Sequence, residues 1–217
     1  MRPRRAAAPY GVGGGSTVSG LMIECPPLSR LPADLLEEGD LTLRAWRPAD
    51  GPTLLTAVLE SLEELHPWLP WAHRAYGPED AAAFLDQMDC AREHGTDFGY
   101  AIVEGEALAG AIGLHLRDDP RRLEIGYWVH TAHAGRGLAT RSVRLLSAEA
   151  VALGEVDCLE IRHDRANERS GRIPRRLGFA YAGQRRRAPQ APGETSTELL
   201  WRLWCTDDAR RTLAAPT

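Results

Sequence analysis

Apolar and polar residues follow two different periods along this chain. Residues 41–46 alternate with a period of two, which is typical of a half-buried strand. After Pro48-Ala49-Asp50 the period becomes helical, with one apolar face made of Leu54, Leu55, Val58, Leu59 and Leu62. Pro78-Glu79-Asp80 begins a second helix that reaches about His94. The first third of the ordered pattern is therefore one strand followed by two helices.

The rest of the pattern predicts six more strands and two more helices. Three strands come in succession, at Phe98–Glu104, Ala107–Leu116 and Leu123–His130, and the corners Gly105-Glu106 and Asp118-Asp119-Pro120 suit antiparallel hairpins. Helices follow from about Gly137 to Leu153 and from Asn167 to Leu177, with strands at Cys158–His163, from Phe179 and at Thr197–Trp204. The order β-α-α-β-β-β-α-β-α-β-β predicts an α+β domain with a mixed sheet of about seven strands flanked by helices.

This pattern occupies one domain, at residues 30–206. Residues 1–29 lack periodicity and contain Gly13-Gly14-Gly15-Ser16, so we expect a flexible tail there, and translation that starts at Met22 is an alternative. Residues 207–217 are expected to be a polar C-terminal end.

Composition excludes several kinds of chemistry. All 26 basic residues among the 217 are arginine, so a Schiff-base enzyme, a P-loop lysine and a Ser-Lys dyad are excluded. A net charge of −4 argues against general nucleic-acid binding, and no apolar run approaches the ~20 residues of a membrane span. The basic start, Arg2, Arg4 and Arg5, precedes no hydrophobic signal core, so we expect a cytoplasmic protein.

The most informative segment joins a predicted strand to a helix through two glycines, Gly135 and Gly137. Glycine allows a positive φ and a close approach to the backbone, and the first N–H groups of a helix have no partner within it. Together these features suit an anion such as a pyrophosphate, with Arg136 and Arg141 as added charge. A tight strand-to-helix turn without a ligand is an equal alternative for this loop taken alone.

A second block, Asn167-Glu168-Arg169-Ser170 followed by Leu177-Gly178-Phe179, lies one helix-strand unit downstream. With both blocks the chain resembles GNAT acyltransferases, and most of all the RimJ/RimL-type N-acetyltransferases, over about residues 41–204. Ala134-Gly135-Arg136-Gly137-Leu138-Ala139 is similar to the family's acetyl-CoA loop, Glu124–Val129 to the strand before it, and His66–Trp71 to a segment near the substrate. The resemblance implies a mostly antiparallel sheet that is splayed at the acetyl-CoA site.

The same resemblance implies a site for direct transfer of an acetyl group from acetyl-CoA to a primary amine. Glu124 would be the base, and Ser170 the acid or hydrogen-bond donor to the sulfur. Trp68 and Trp71 would line the substrate pocket. Contacts to acetyl-CoA would come from Trp128, Val129, Ala134, Gly135, Arg136, Gly137, Leu138, Ala139, Thr140 and Asn167. Two positions depart from the family: Ala134 replaces a Gln or Arg, and Pro174 stands where many GNAT enzymes have a tyrosine.

Several alternatives remain at this point. The amine is either the N-terminus of a protein or peptide or a small molecule, and the chain is a monomer or a homodimer that binds neither nucleic acid nor membrane. A catalytically silent acyl-CoA-binding sensor or interaction module would keep the loop but need neither Glu124 nor Ser170. Residue-level alternatives are core packing for the tryptophans and helix capping for Asn167 and Ser170. His130 and His133 lack an evident third ligand, so no metal is expected.

Overall fold

The computed structural model describes residues 28–117, 119 and 121–214. The strands are β1 (Leu35–Glu38), β2 (Leu41–Ala45), β3 (Asp97–Glu104), β4 (Ala107–Leu116), β5 (Arg122–Val129), β6 (Cys158–Asp164), β7 (Ala180–Arg186) and β8 (Thr197–Trp204). The helices are α1 (Gly51–Glu60), α2 (Leu62–Leu65), α3 (Pro78–Glu93), α4 (Leu138–Ala152), α5 (Glu168–Arg176) and α6 (Asp207–Ala214).

All eight strands form one sheet in the order β1-β2-β3-β4-β5-β6-β8-β7. Every neighbouring pair is antiparallel except β5 and β6, which are parallel and joined through α4. The predicted α+β class and the mostly antiparallel sheet are therefore confirmed.

The sheet is splayed between β5 and β6. Their pairing covers only Arg122–Glu124 on β5 and Cys158–Glu160 on β6, although β5 continues to Val129 and β6 to Asp164. On its other side β5 stays paired with β4 as far as Val129. The two parallel strands therefore diverge after Glu124 and Glu160, which confirms the expected opening in the sheet.

Helices cover the two faces of the sheet differently. A large apolar core lies between the sheet and α4, α5 and α6, and it takes the odd-numbered side chains of β5, Leu123 and Ile125 among them. A second, smaller core packs α1–α3 against the other face, where it reaches Trp128 of β5. Since successive strand residues point to opposite faces, the side chains of β5 are divided between the two cores.

Strand β1 is an element that the sequence analysis does not predict. It pairs with β2 across a two-residue turn, Gly39-Asp40, in which Gly39 has φ +63°. Glycine adopts that backbone without steric cost, and Gly-Asp between two strands is a hairpin signal. The run Leu35-Leu36-Glu37-Glu38 does not alternate, because as an edge strand its side chains are only partly buried.

Both chain ends also differ from the expectation. Leu28 is buried in the larger core, and Ser29 donates two hydrogen bonds to Glu155, so the predicted tail is wrong for its last two residues. Met22 and the other residues before 28 lie outside the described residues. The predicted polar end contains α6, whose Ala209 and Leu213 are buried in the larger core. A helix with three apolar residues in eight, two of them alanine, looks polar in sequence, which is why the pattern misses it.

The first predicted helix is divided in two. Ser61, which has φ −107° and ψ 5°, separates α1 from the single turn of α2. Its buried hydroxyl accepts a hydrogen bond from the N–H of Thr131, just after β5.

Across the described ranges, no helix is long and apolar enough to cross a membrane.

Gly110 of β4 has no room for a side chain against the backbone of β5. It has φ +148°, and an added Cβ would lie 2.3 Å from the carbonyl oxygen of Trp128. We expect Gly110→Ala to lower the free energy of unfolding by about 2–4 kcal/mol, because it adds a backbone clash to the cost of the positive φ. Gly105→Ala is the matched control, since Gly105 has φ +61° with open space around its Cβ position. Gly105→Ala should lower the free energy of unfolding by about 1 kcal/mol. Equal losses in chemical denaturation would contradict the close approach.

Candidate active site

The opening between β5 and β6 is bordered by several of the predicted site residues. Beyond Glu124, the edge of β5 that faces β6 has no ladder with that strand, so its backbone groups on that side are available to a ligand. The loop before α4 lies at the far end of β5, and α5 follows directly after β6. A ligand in the opening would therefore meet β5, the α4 loop and α5 together.

The predicted anion loop has the expected backbone. Gly135 has φ +82° and Gly137 has φ +78°, and residues 134–137 are all exposed. Gly137 is the N-cap of α4, where no side chain caps the helix. The first-turn N–H groups of α4 thus remain for an anion, and the helix dipole favours negative charge there. Leu138 is buried in the core and anchors this turn.

The two arginines near the loop differ in their contacts. Arg136 is largely exposed, with Nη1 at 3.3 Å from Glu104 Oε2, so it remains beside the loop. Arg141 points to the β1–β2 turn instead, where its Nη2 donates to Asp40 Oδ1 (2.7 Å) and to the Glu38 carbonyl (2.9 Å). Of the two, Arg136 is the one placed to add charge to the loop.

His130 and His133 each have a carboxylate partner of their own. The Nδ1 atom of His130 accepts from the N–H of Ala132, so its proton is on Nε2, which donates to Glu60 Oε2 at 2.9 Å. Nδ1 of His133 lies 2.6 Å from Glu104 Oε2. Among the described residues, no group of three or more His, Cys, Asp and Glu side chains is arranged to hold a metal ion.

Helix α5 presents Ser170 to the opening. The Asn167 side chain caps the helix by accepting the Ser170 N–H at 3.2 Å, so the capping alternative is correct for Asn167. The Ser170 hydroxyl does not cap the helix; it lies 3.0 Å from the hydroxyl of Tyr127 on β5. Tyr127 also donates to the Ser170 carbonyl at 3.1 Å, and so connects the two diverging arms of the sheet.

A buried histidine supports α5 from below. Gly171 lies against His163 of β6, and a Cβ at Gly171 would be 2.7 Å from the imidazole ring. The Nε2 of His163 accepts from the indole N–H of Trp201 at 3.0 Å, and its Nδ1–H donates to the carbonyl of Asp164 at 2.8 Å. Burial lowers the pKa of His163, which agrees with this neutral tautomer. Contact with the ring therefore sets the distance of α5 from β6, and with it the position of Ser170.

Glu124 lies at the point where β5 and β6 part. Its Oε2 is 3.0 Å from Nε of Arg117 and 3.4 Å from Nε of Arg162, and the side chain is 18% exposed. Glu124 and Ser170 are on opposite sides of β5, since Glu124 shares the face of Trp128 while the adjacent Tyr127 reaches α5. The two predicted catalytic residues thus approach the opening from different faces.

Arg162 joins Glu124 to a larger set of charges on this face. Its guanidinium also contacts Glu160 (2.6 Å) on β6 and Glu198 (3.4 Å) on β8. Burial opposes ionisation of Glu160, but hydrogen bonds from Arg202 and Arg162 outweigh it and hold the pKa of Glu160 below its usual value. Glu124 is therefore one carboxylate of a shared ion network.

The predicted pocket tryptophans lie on the face covered by α1–α3. Trp71 is 5% exposed and packs against Trp128, with ring centroids 6.1 Å apart. Core packing accounts for Trp71, which supports Trp128 from behind. Trp68 is half-buried, which leaves part of its ring for a pocket wall.

The segment that carries these tryptophans is docked on the β7–β8 loop. The Gly193 N–H donates to the Pro67 carbonyl at 2.8 Å, and a Cβ at Gly193 would lie 2.7 Å from that oxygen. One segment follows α2 and the other joins β7 to β8, so their contact links the α1–α3 helices to the strands on the other side of the opening.

Comparison with known proteins identifies this arrangement. The model of the family described as "Acetyltransferase (GNAT) domain" matches residues 40–180, which include α1–α5 and strands β2–β6. The chain belongs to the GNAT acetyltransferase family. It is an acetyl-CoA-dependent N-acetyltransferase, and the open, uncapped α4 loop and the splayed strands fit such a donor.

Individual relatives agree with the family. The chain is 28% identical over 151 residues to YdaF of Bacillus subtilis (strain 168), which is named provisionally as a ribosomal N-acetyltransferase; the match covers 67% of this chain and 81% of that protein. Two solved structures share the fold. One is RimL, the ribosomal L7/L12 α-N-protein acetyltransferase in complex with coenzyme A (TM-score 0.74, 20% identity, covering 78% of this chain and 97% of RimL). The other is the microcin C7 self-immunity acetyltransferase MccE with acetyl-CoA and AMP (TM-score 0.72, 18% identity, covering 77% of this chain and 93% of that chain).

Three features of this GNAT site escape the sequence analysis: the phenol of Tyr127 at Ser170, the bridging role of Arg162, and the contact of Gly193 with Pro67. Each joins residues that are far apart in the chain. The sequence holds a partial signal for the first alone: Pro174, four residues after Ser170, leaves the Ser170 carbonyl without its helical donor but does not indicate which residue replaces it.

The Pro67–Gly193 contact predicts a test of the acceptor side. Gly193→Ala should separate the two segments, since overpacking against backbone costs about 1–3 kcal/mol. We expect a raised KM for the acceptor amine with an unchanged KM for acetyl-CoA in steady-state kinetics. Gly51→Ala is the control, because a Cβ there meets only Leu85 at an ordinary 3.7 Å. A changed KM for acetyl-CoA alone would contradict this assignment of the contact.

Proposed function

We propose that the acceptor of this acetyltransferase is the N-terminal amine of a protein or peptide. The named relatives support this, since YdaF and RimL are both described by ribosomal-protein acetylation. The opening between β5 and β6 carries the acetyl transfer itself, with the α4 loop and α5 as the donor side and Trp128 at the acceptor side, and the choice of a protein N-terminus rests on the named relatives. A small-molecule amine is the outcome to be tested against it.

The donor is held mainly by main-chain groups. The pyrophosphate of acetyl-CoA lies at the N-terminus of α4, where uncapped N–H groups and the helix dipole stabilise it. Ala134 removes a polar side chain at this site but no backbone donor. The cofactor contacts come from residues 134–140, namely Ala134, Gly135, Arg136, Gly137, Leu138, Ala139 and Thr140, with Asn167 fixing the start of α5.

The acyl group lies along β5, where a backbone N–H near Trp128 and Val129 polarises the thioester carbonyl. Glu124 takes a proton from the amine directly or through a water, and Ser170 donates a hydrogen bond to the sulfur that leaves. Trp68 lines the acceptor pocket, while Trp71, a core residue, supports Trp128. Two acidic side chains that precede these tryptophans already have partners, Glu60 with His130 and Glu63 with Arg74, so their charge is partly compensated before a cationic amine approaches.

A cytoplasmic location remains a prediction, as does a monomer or homodimer that binds neither nucleic acid nor membrane.

The role of Glu124 predicts a loss of the chemical step. With a panel of peptides of varied N-termini and small amines, Glu124→Gln should lower kcat about 10²-fold and leave the affinity for acetyl-CoA unchanged, because general-base catalysis is worth at least that much. Glu160→Gln is the control: it removes a carboxylate from the same ion network, and we expect lower stability with most of the activity retained. Release of the coenzyme A thiol measures the activity of both variants.

The same panel separates the enzyme from a catalytically silent acyl-CoA-binding module. If acetyl-CoA binds but no amine accelerates thiol release, the enzymatic function is wrong. If small amines react and no peptide does, the N-terminal acceptor is wrong.

The donor cradle predicts a loss of binding in Gly137→Asp. A carboxylate at the N-cap of α4 should repel the pyrophosphate and block the backbone, and acetyl-CoA affinity should fall about tenfold or more, or ~1.4 kcal/mol, in calorimetry. Gly178→Asp is the matched control, since Gly178 has the same φ of +78° and the same open surroundings but lies after α5. Unchanged affinity in Gly137→Asp would reject the phosphate site.

A further inference from the structure

Helix α5 contains a proline at a position that affects Ser170 directly. In an α-helix the carbonyl of residue i accepts the N–H of residue i+4, and Pro174 is the fourth residue after Ser170. Proline has no N–H, so the Ser170 carbonyl lacks its usual helical donor. Pro174 is buried inside a helix that is otherwise intact, so this carbonyl has to find another donor or remain unsatisfied.

Tyr127 supplies that donor from another strand. Its hydroxyl crosses from β5 to α5 and donates to the Ser170 carbonyl at 3.1 Å, while lying 3.0 Å from the Ser170 Oγ. Burial raises the pKa of the Tyr127 phenol above its ordinary value, so the group stays protonated and acts as a donor. One phenol therefore faces two acceptors on a single residue.

Tyr127 and Ser170 each have one hydroxyl hydrogen, so the pair can form two different hydrogen-bond arrangements. When the phenol donates to the carbonyl, the Ser170 hydroxyl donates to the phenol oxygen, and its hydrogen points away from the opening. When the phenol turns to Ser170 Oγ, the Ser170 hydrogen is free to point into the opening. The turn is a rotation about one C–O bond between acceptors at nearly equal distance.

We propose that Tyr127 is a positioning residue for Ser170, whose hydroxyl it releases toward the sulfur of acetyl-CoA, and that Pro174 enables this by leaving the Ser170 carbonyl as the phenol's alternative acceptor. The inference rests on the proposed role of Ser170. As the amine nitrogen bonds to the acyl carbon, the C–S bond breaks and its electron pair goes to sulfur. The Ser170 O–H then donates a hydrogen bond to the thiolate, and the Tyr127 O–H donates to Ser170 Oγ. The amine proton goes to Glu124 or water, and Tyr127 keeps its own proton throughout.

A kinetic cycle tests the coupling. Ser170→Ala should lower kcat about 10²-fold and Tyr127→Phe about tenfold, both with unchanged KM for acetyl-CoA. The double variant should match Ser170→Ala alone, because Tyr127 acts through that hydroxyl. Tyr100→Phe is the control: its buried phenol also donates to a carbonyl, that of Ala33 at 2.9 Å, far from the opening, and kcat should be unchanged. Multiplicative losses in the double variant would overturn the proposal.

A second measurement needs no acceptor. The ultraviolet absorbance of coenzyme A bound at one fixed pH reports the fraction present as thiolate, and this fraction should fall in Ser170→Ala and in Tyr127→Phe relative to the wild type. A wild-type fraction in Tyr127→Phe would overturn the proposal. If no amine is ever acetylated, the proposed function fails, while this absorbance still measures the Tyr127–Ser170 pair.

The part played by Pro174 has its own test. Pro174→Ala restores an N–H at the position that faces the Ser170 carbonyl, so the carbonyl no longer depends on the phenol. Tyr127→Phe should then lower the melting temperature less in the Pro174→Ala background than in the wild type. Equal losses in the two backgrounds would show that the phenol and the proline are independent, contrary to the proposal.

Discussion

The rest of the site depends on one interruption of hydrogen bonding, the end of the β5–β6 ladder after Glu124 and Glu160. Backbone groups that leave a ladder need other partners, and two strands held together at one end do not stay apart by themselves. Two contacts span the opening on its two faces. Tyr127 bonds to α5 on one side, and Pro67 meets Gly193 on the other. The opening is thus framed by hydrogen bonds while its interior remains available to the donor.

The apex of the opening is built from charge. Arg162 contacts carboxylates from β5, β6 and β8, and removing one partner of such a set leaves a charge without compensation. Desolvation offsets much of the attraction in such a network, while its several partners restrict the directions that each side chain can take. The absence of lysine is consistent with it, because the planar guanidinium has several donors in fixed directions and an ammonium does not. Glu124 therefore has a defined orientation before any substrate arrives.

The sequence predicts those parts of this protein that local pattern determines. Periodicity finds the central strands, and two glycines next to a helix start identify the anion loop, because these signals lie within a few residues of one another. Strand β1 and helix α6 escape it because an edge strand and a largely exposed helix bury few side chains. The contacts that shape the opening escape it for a different reason. Tyr127 and Ser170 are 43 positions apart, and nothing in either local pattern specifies the other.

The division of β5 between two faces has a consequence for how such an enzyme changes its acceptor. Tyr127 faces α5 on the proposed donor side, whereas Trp128, its neighbour, faces α1–α3 on the proposed acceptor side. Because α5 is fixed by His163 and the α4 loop by Leu138, the donor side is anchored in the larger core. The acceptor side is held by the smaller core and by one loop contact at Gly193. In the proposed arrangement, substitutions on that side would reshape the pocket for another amine while the α4 loop and Ser170 keep their positions.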